Sequence, residues 1–68
     1  MEDINKLVRE NIKRIRHIKK LTQEMLALKT GLHRAYIGQI ERGEKNIGLK
    51  NLQKIAQALE INIKEFFN

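Results

Sequence analysis

Sixty-eight residues with 14 Lys and Arg against 8 Asp and Glu carry a net charge of +6 and a sequence pI near 10.0. A chain of this length makes one domain at most, taken as residues 1–68, with a core near the lower size limit for folding alone. With no Cys there is no disulfide, thiolate metal site or thiol nucleophile, and no apolar run approaches the about 20 residues of a membrane span. Net positive charge favours polyanions such as DNA, RNA or an anionic lipid surface, and the placement of the cations has to choose among them. His17 and His33 fall on different segments without a third ligand, so neither a metal nor a cofactor is expected. No signal-like apolar block follows the acidic start Met1-Glu2-Asp3, which implies a soluble, cytoplasmic chain.

Taken in order, residues 4–19 are predicted as a first helix, because Ile4, Leu7, Val8, Ile12, Ile15 and Ile18 recur at spacings of three and four. Asn11 interrupts that stripe and needs a hydrogen-bond partner if buried. Arg9, Lys13, Arg16 and Lys20 occupy the far face, where Arg9 and Lys13 are read as solvated. Thr22 caps a second helix, Gln23 to Thr30, at a value of about 1 kcal/mol. Met25 stands where a capping box would put an acid. Gly31 then breaks the pattern and offers the φ > 0 corner that lets two short helices dock steeply. Leu26, Ala27, Leu32, Ile37 and Ile40 line the inside of that corner, and Ala27 must stay small. A third helix over about His33–Glu41 ends at Gly43, which completes a helix-turn-helix. Glu44 to Gly48 read as a loop with Ile47 tucked beneath it. A fourth helix covers residues 49–59, with Leu49, Leu52, Ile55, Ala56 and Leu59 inward and Gly48 as a weak cap. Asn62 and Glu65 supply a cap and its reciprocal partner for a last short helix, Ile63 to Phe67. Phe66 and Phe67 are adjacent, so one enters the core and the other needs another surface. Ile61, Ile63, Phe66 and Phe67 are therefore the candidate interface with a second copy across a two-fold axis.

The ordered set Thr22, Gln23, Leu26, Ala27, Gly31, Tyr36, Ile37, Ile40, Glu41, Arg42 and Gly43 resembles the signature of the Cro/phage-repressor (Xre-type) helix-turn-helix family. The likeness continues through Asn46, Ile47, Leu49, Leu52, Ile55, Ala56 and Leu59, and so covers nearly the whole chain. Within the family, the short length and the run GEKNIGLKNLQKIAQAL are most similar to the controller proteins of restriction–modification systems. The resemblance implies an all-α fold, a five-helix lambda-repressor-like DNA-binding domain. It also implies a homodimer joined at the C-terminal region, with recognition helices about 34 Å apart on successive major grooves. Arg16 is implied to pair with Glu41 behind the DNA-facing surface as a structural ion pair. Gln23 looks like the family's clamp on a phosphate near the positive end of the second helix.

The third helix can read DNA because a helix fits the major groove and its N-terminal side chains reach base edges. Arg34 is the leading base reader, since its guanidinium can donate two bonds to guanine O6 and N7 for about 1–3 kcal/mol of discrimination. Gln39 can read adenine, and Ala35 offers a methyl-sized contact to thymine. Tyr36 is assigned to a backbone phosphate through its hydroxyl, against a purely structural role. His33, a poor cap, is assigned to a phosphate that it would bind better when protonated. Arg42, Lys45 and Asn46 are expected beside the flanking sugar-phosphate strand, adding affinity without reading sequence. Met25 and Leu28 are expected to pack on the first helix. The alternative is an exposed apolar patch suited to an RNA polymerase subunit, with Glu24 as an acidic handle.

The expected function is thus a sequence-specific, dimeric DNA-binding regulator acting on a palindromic operator. A phage-type repressor and the antitoxin of a toxin–antitoxin pair share the fold and differ in partner. A protein-binding module without DNA activity would leave Gln23, Arg34 and Arg42 on one surface unexplained. No catalytic nucleophile, paired acids or small-molecule site is apparent, so an enzyme is not expected. A membrane-surface helix would need its apolar face free, and here those faces build a core.

Overall fold

The computed structural model describes residues 3–68; Met1 and Glu2 of the acidic start lie outside them. Asp3 opens α1 (Ile4–Ile18) by accepting a hydrogen bond from the Asn5 amide at 3.0 Å. Thr22 does the same for α2 (Gln23–Thr30), its Oγ1 accepting from the Met25 amide at 3.0 Å. Neither His33 before α3 (Arg34–Glu41) nor Gly48 before α4 (Leu49–Leu59) gives a side-chain cap. The expected fifth helix is a five-residue 3-10 turn, Ile63–Phe67, so the described residues form four α-helices and one 3-10 segment. Asn62 caps that segment through the Lys64 amide at 3.0 Å, but Glu65 does not reciprocate; its carboxylate instead accepts from the Asn68 amide group at 3.3 Å. So short a segment cannot repay a costly helical nucleus, and it keeps the tighter turn. Among the described residues there is no strand, and no helix is long and apolar enough to cross a membrane.

The core gathers one face of every element. Ile12, Leu26, Ile37, Ile40, Ile55, Leu59 and Phe66 are sealed from solvent, with Val8, Ile15, Ala27, Leu52 and Ala56 around them. Several apolar expectations fail here, and Ile4 and Ile18, at 54% and 62%, leave both ends of the α1 stripe exposed. Leu49 is 77% exposed, because the first turn of α4 overhangs the core. Met25 and Leu28, at 43% and 78%, do not pack on α1, since α2 lies against α3 and α4 and spends Leu26 and Ala27 on that contact. Phe66 belongs to the core and not to a surface between copies.

Asn11 finds its partners at the far end of the chain. Its Nδ2 donates to the carbonyls of Phe66 at 2.8 Å and Asn68 at 3.0 Å, and its Oδ1 accepts from Arg14. One buried amide therefore pins the 3-10 segment onto α1. The ends of α1 and α4 carry a surprise for sequence reading. Lys20 and Glu60 adopt φ of 60° and 58°, the left-handed region usually left to glycine. In each case two amides close back on the helix, Lys20 and Leu21 on His17 and Arg16, Glu60 and Ile61 on Gln57 and Ala56.

Candidate nucleic-acid interface

The corner at Gly31 sets where α3 points. Gly31 takes φ of 75° and closes α2 by donating to the Ala27 carbonyl at 2.9 Å. From there α3 lays Ile37 and Ile40 into the core, which turns Arg34 and Ala35 fully outward and leaves Gln39 half-buried. Gln23, His33, Arg34, Ala35, Gly38, Gln39 and Arg42 line one shallow, open depression across α3 and the start of α2. The structure thus gathers residues from two helices onto one polar, net-positive surface.

Behind that surface sits a buried clamp. Arg16 reaches Glu41 by two bonds, Nε to Oε2 at 2.7 Å and Nη2 to Oε1 at 2.8 Å, and donates from Nη1 to the Leu21 carbonyl at 2.7 Å. Both side chains are nearly sealed, at 7% and 3% exposure. Burial pushes the Glu41 carboxyl up, but bonds from Arg16 and Gln23 and the charges of Arg16 and Lys13 outweigh it. The carboxyl ends below its ordinary value of 4.5. Gln23 is part of this clamp, because its Nε2 donates to Glu41 Oε1 at 3.1 Å. Its Nε2 is therefore engaged by Glu41, where the resemblance implied an amide and side chain directed at a phosphate.

Tyr36 is half-buried, and its hydroxyl accepts a bond from Asn51 Nδ2 at 3.0 Å, which leaves its own proton to donate. Past α3, Gly43 at φ of 78° lets the amides of Gly43 and Glu44 close on Ile40 at 3.1 Å and Gln39 at 2.8 Å. Lys45 and Asn46 stand exposed on the loop that follows. Arg42 does not stand with them. Its Nε and Nη2 bind the two carboxylate oxygens of Glu44 at 2.6 and 3.2 Å. Its Nη1 lies 2.9 Å from where a side-chain carbon on Gly38 would stand, so the guanidinium folds back over α3. The Arg42 hydrogen bond holds the Glu44 carboxyl below its usual range, and Glu44 in turn raises Arg42.

This geometry meets one family. A family model described as helix-turn-helix, HTH_3, matches residues 12–66. The chain belongs to the helix-turn-helix family. It is 44% identical over 61 residues to control protein C.SmaI of Serratia marcescens, covering 90% of this chain and 73% of that one. With control protein C.BamHI of Bacillus amyloliquefaciens it shares 39% identity over 67 residues, or 97% of this chain and 83% of that one. The crystal structure of the restriction-modification controller protein C.AhdI from Aeromonas hydrophila superposes with a TM-score of 0.88 at 40% identity, covering 93% of this chain and 96% of that one.

On this helix-turn-helix surface Glu44 escaped the sequence reading, Gly38 is buried where the helical spacing puts it outside, and Arg9 was misplaced. Gly38 is a helix-weakening residue in the middle of α3, and that oddity was the available signal. Glu44 gave none, since a carboxylate two residues from an arginine is ordinary loop composition. Arg9, read as solvated, is half-buried and lays its guanidinium against Gly43, 2.8 Å from where a side-chain carbon would stand. In the C-terminal segment Phe67 remains 43% exposed, while Ile61 and Ile63 are half-buried against the core. No group of acids and histidines able to hold a metal exists among the described residues.

Proposed function

We propose that this helix-turn-helix chain is the control protein of a restriction–modification system, a sequence-specific regulator that binds duplex DNA as a homodimer in the cytoplasm. The outward face of α3 carries the reading, because it offers donors at helical spacing on a cationic surface of groove width. Arg34 reads a guanine, Ala35 meets a thymine methyl and Gln39 reads an adenine. His33, Tyr36, Lys45, Asn46 and the first-turn amides around Gln23 hold the sugar-phosphate strand. Phe67, with the exposed edges of Ile61 and Ile63, pairs two copies so that two reading helices meet a palindromic operator. Exposed Met25 and Leu28 beside Glu24 offer an RNA polymerase subunit a contact.

Selection from random duplexes with the full chain, followed by footprinting, tests the reading and supplies the operator. Arg34→Ala should then flatten preference among related duplexes, whereas Lys45→Ala should weaken all of them alike and lower the salt slope by about one unit. If the Arg34→Ala chain ranks operators as the parent does, Arg34 is not a base reader.

A further inference from the structure

Arg42 was expected on the flank of the groove, and its geometry says otherwise. A cation meant only to neutralise phosphate needs reach and freedom, yet this one is folded back one turn along α3 and tied by two bonds to Glu44. The tie does little for the fold, since both side chains are more than half exposed, at 58% and 53%. Nor does it help general affinity, because an exposed carboxylate beside the phosphates repels every sequence equally. Gly38 is a second oddity that points to the same place. It weakens α3 and yet is buried, because the Arg42 guanidinium occupies the room its missing side chain leaves, with Gln23 Oε1 on the other side. Both polar neighbours of that gap, Gln23 and Arg42, line the depression that also holds Arg34.

We propose that Gly38, Arg42 and Glu44 form a preset base-reading unit, in which Glu44 orients Arg42 across the glycine gap so that it reads a guanine and does not merely neutralise a phosphate. The inference rests on the DNA-binding reading above. A guanidinium has five N–H donors, and Glu44 engages Nε and one hydrogen of Nη2. The end-on fork, one hydrogen each on Nη1 and Nη2, remains free and matches the O6 and N7 acceptors of guanine. Glu44 supplies orientation before contact, so less side-chain freedom is lost on binding. It also penalises sites where the fork finds no acceptor, since the carboxylate then brings only repulsion.

Anisotropy titrations of the full chain against its selected duplex and a scrambled duplex, across a range of salt, test the unit. Arg42→Lys keeps the charge and loses the fork; the ratio of the two affinities should fall roughly tenfold with the salt slope unchanged. Gly38→Ala displaces only the flexible end of Arg42 and improves helix propensity. Its melting temperature should stay at or above the parent's while the ratio falls. Glu44→Gln should tighten the scrambled duplex more than the selected one. Single 7-deazaguanine replacements, which remove N7, should reveal one position that weakens the parent and leaves Arg42→Lys unaffected. The unit is overturned if Arg42→Lys and Gly38→Ala keep the parent's ratio, or if Arg42→Ala weakens both duplexes alike and lowers the salt slope by about one. A parent that prefers no duplex would overturn the DNA reading as well, which separates the two failures.

Discussion

Two arginine–glutamate pairs flank α3, one behind it and one in front. Arg16–Glu41 and Arg42–Glu44 have almost the same Nε to Oε2 distance, 2.7 and 2.6 Å, and each is held by two bonds. Depth separates them: the first pair is 7% and 3% exposed, the second 58% and 53%. A buried pair is costly to form and far more costly to break, because the survivor is left charged and dry. An exposed pair exchanges with water and salt, and can be opened by a better partner. The pair behind α3 therefore fixes the angle between α1 and α3. The pair in front adds little to the fold and orients Arg42.

The sharpest way to break that contrast is Glu41→Ala. It leaves Arg16 buried with only the Leu21 carbonyl and His17 as polar neighbours, and should cost about 3 kcal/mol or more, read as a fall in the thermal melt. In a chain this small that is a large share of total stability. A loss below about 1 kcal/mol would show Arg16 escaping to water. Acid probes the same pair without a mutation. The folded Glu41 carboxyl lies below its ordinary value of 4.5, so its contribution is complete above that pH and is lost as pH falls through the folded value. The gap in melting temperature between parent and Glu41→Gln should narrow below pH 4.5, a window set by that ordinary value.

A change confined to the backbone gives a yardstick of opposite sign. Lys20→Gly and Glu60→Gly remove the left-handed strain at the ends of α1 and α4, and each should raise stability by about 1 kcal/mol. Denaturant midpoints that fall instead would mean those side chains hold contacts the helix ends need. The smallest effect belongs to the front pair. Glu44→Ala and Arg42→Ala should leave the melting temperature where it is, at low and high salt alike, while changing DNA preference.

The division between front and back also marks what the chain discloses before folding. Helical spacing brought out α1 to α4, and the small and apolar residues at Leu26, Ala27, Ile37 and Ile40 located the corner and the underside of α3. Thr22, Gly31 and Gly43 announce their roles because a cap or a left-handed bend demands particular chemistry. Lys20 and Glu60 do the same work with the wrong residue types, so nothing local betrays them. Leu49, Met25 and Leu28 were misjudged because periodicity gives a face but not the extent of whatever packs against it. Phe66 and Phe67 show the limit plainly: adjacency says they part company, and only the packed core, with Asn11 holding the Phe66 carbonyl from more than fifty residues away, puts Phe66 inside. The inward turn of Gln23 and the fold-back of Arg42 depend on side-chain partners, Glu41 and Glu44, that compete with any phosphate.

Tyr36 is the sole tyrosine, and the chain has no tryptophan. Its ring sits on α3, half-sheltered, with its hydroxyl bonded to Asn51. Ultraviolet emission excited in the tyrosine band, where the two phenylalanines scarcely absorb, therefore comes from one ring per chain, on the helix at issue. A titration with duplex reports on that helix alone, with no dye, tag or engineered reporter to disturb the surface being watched.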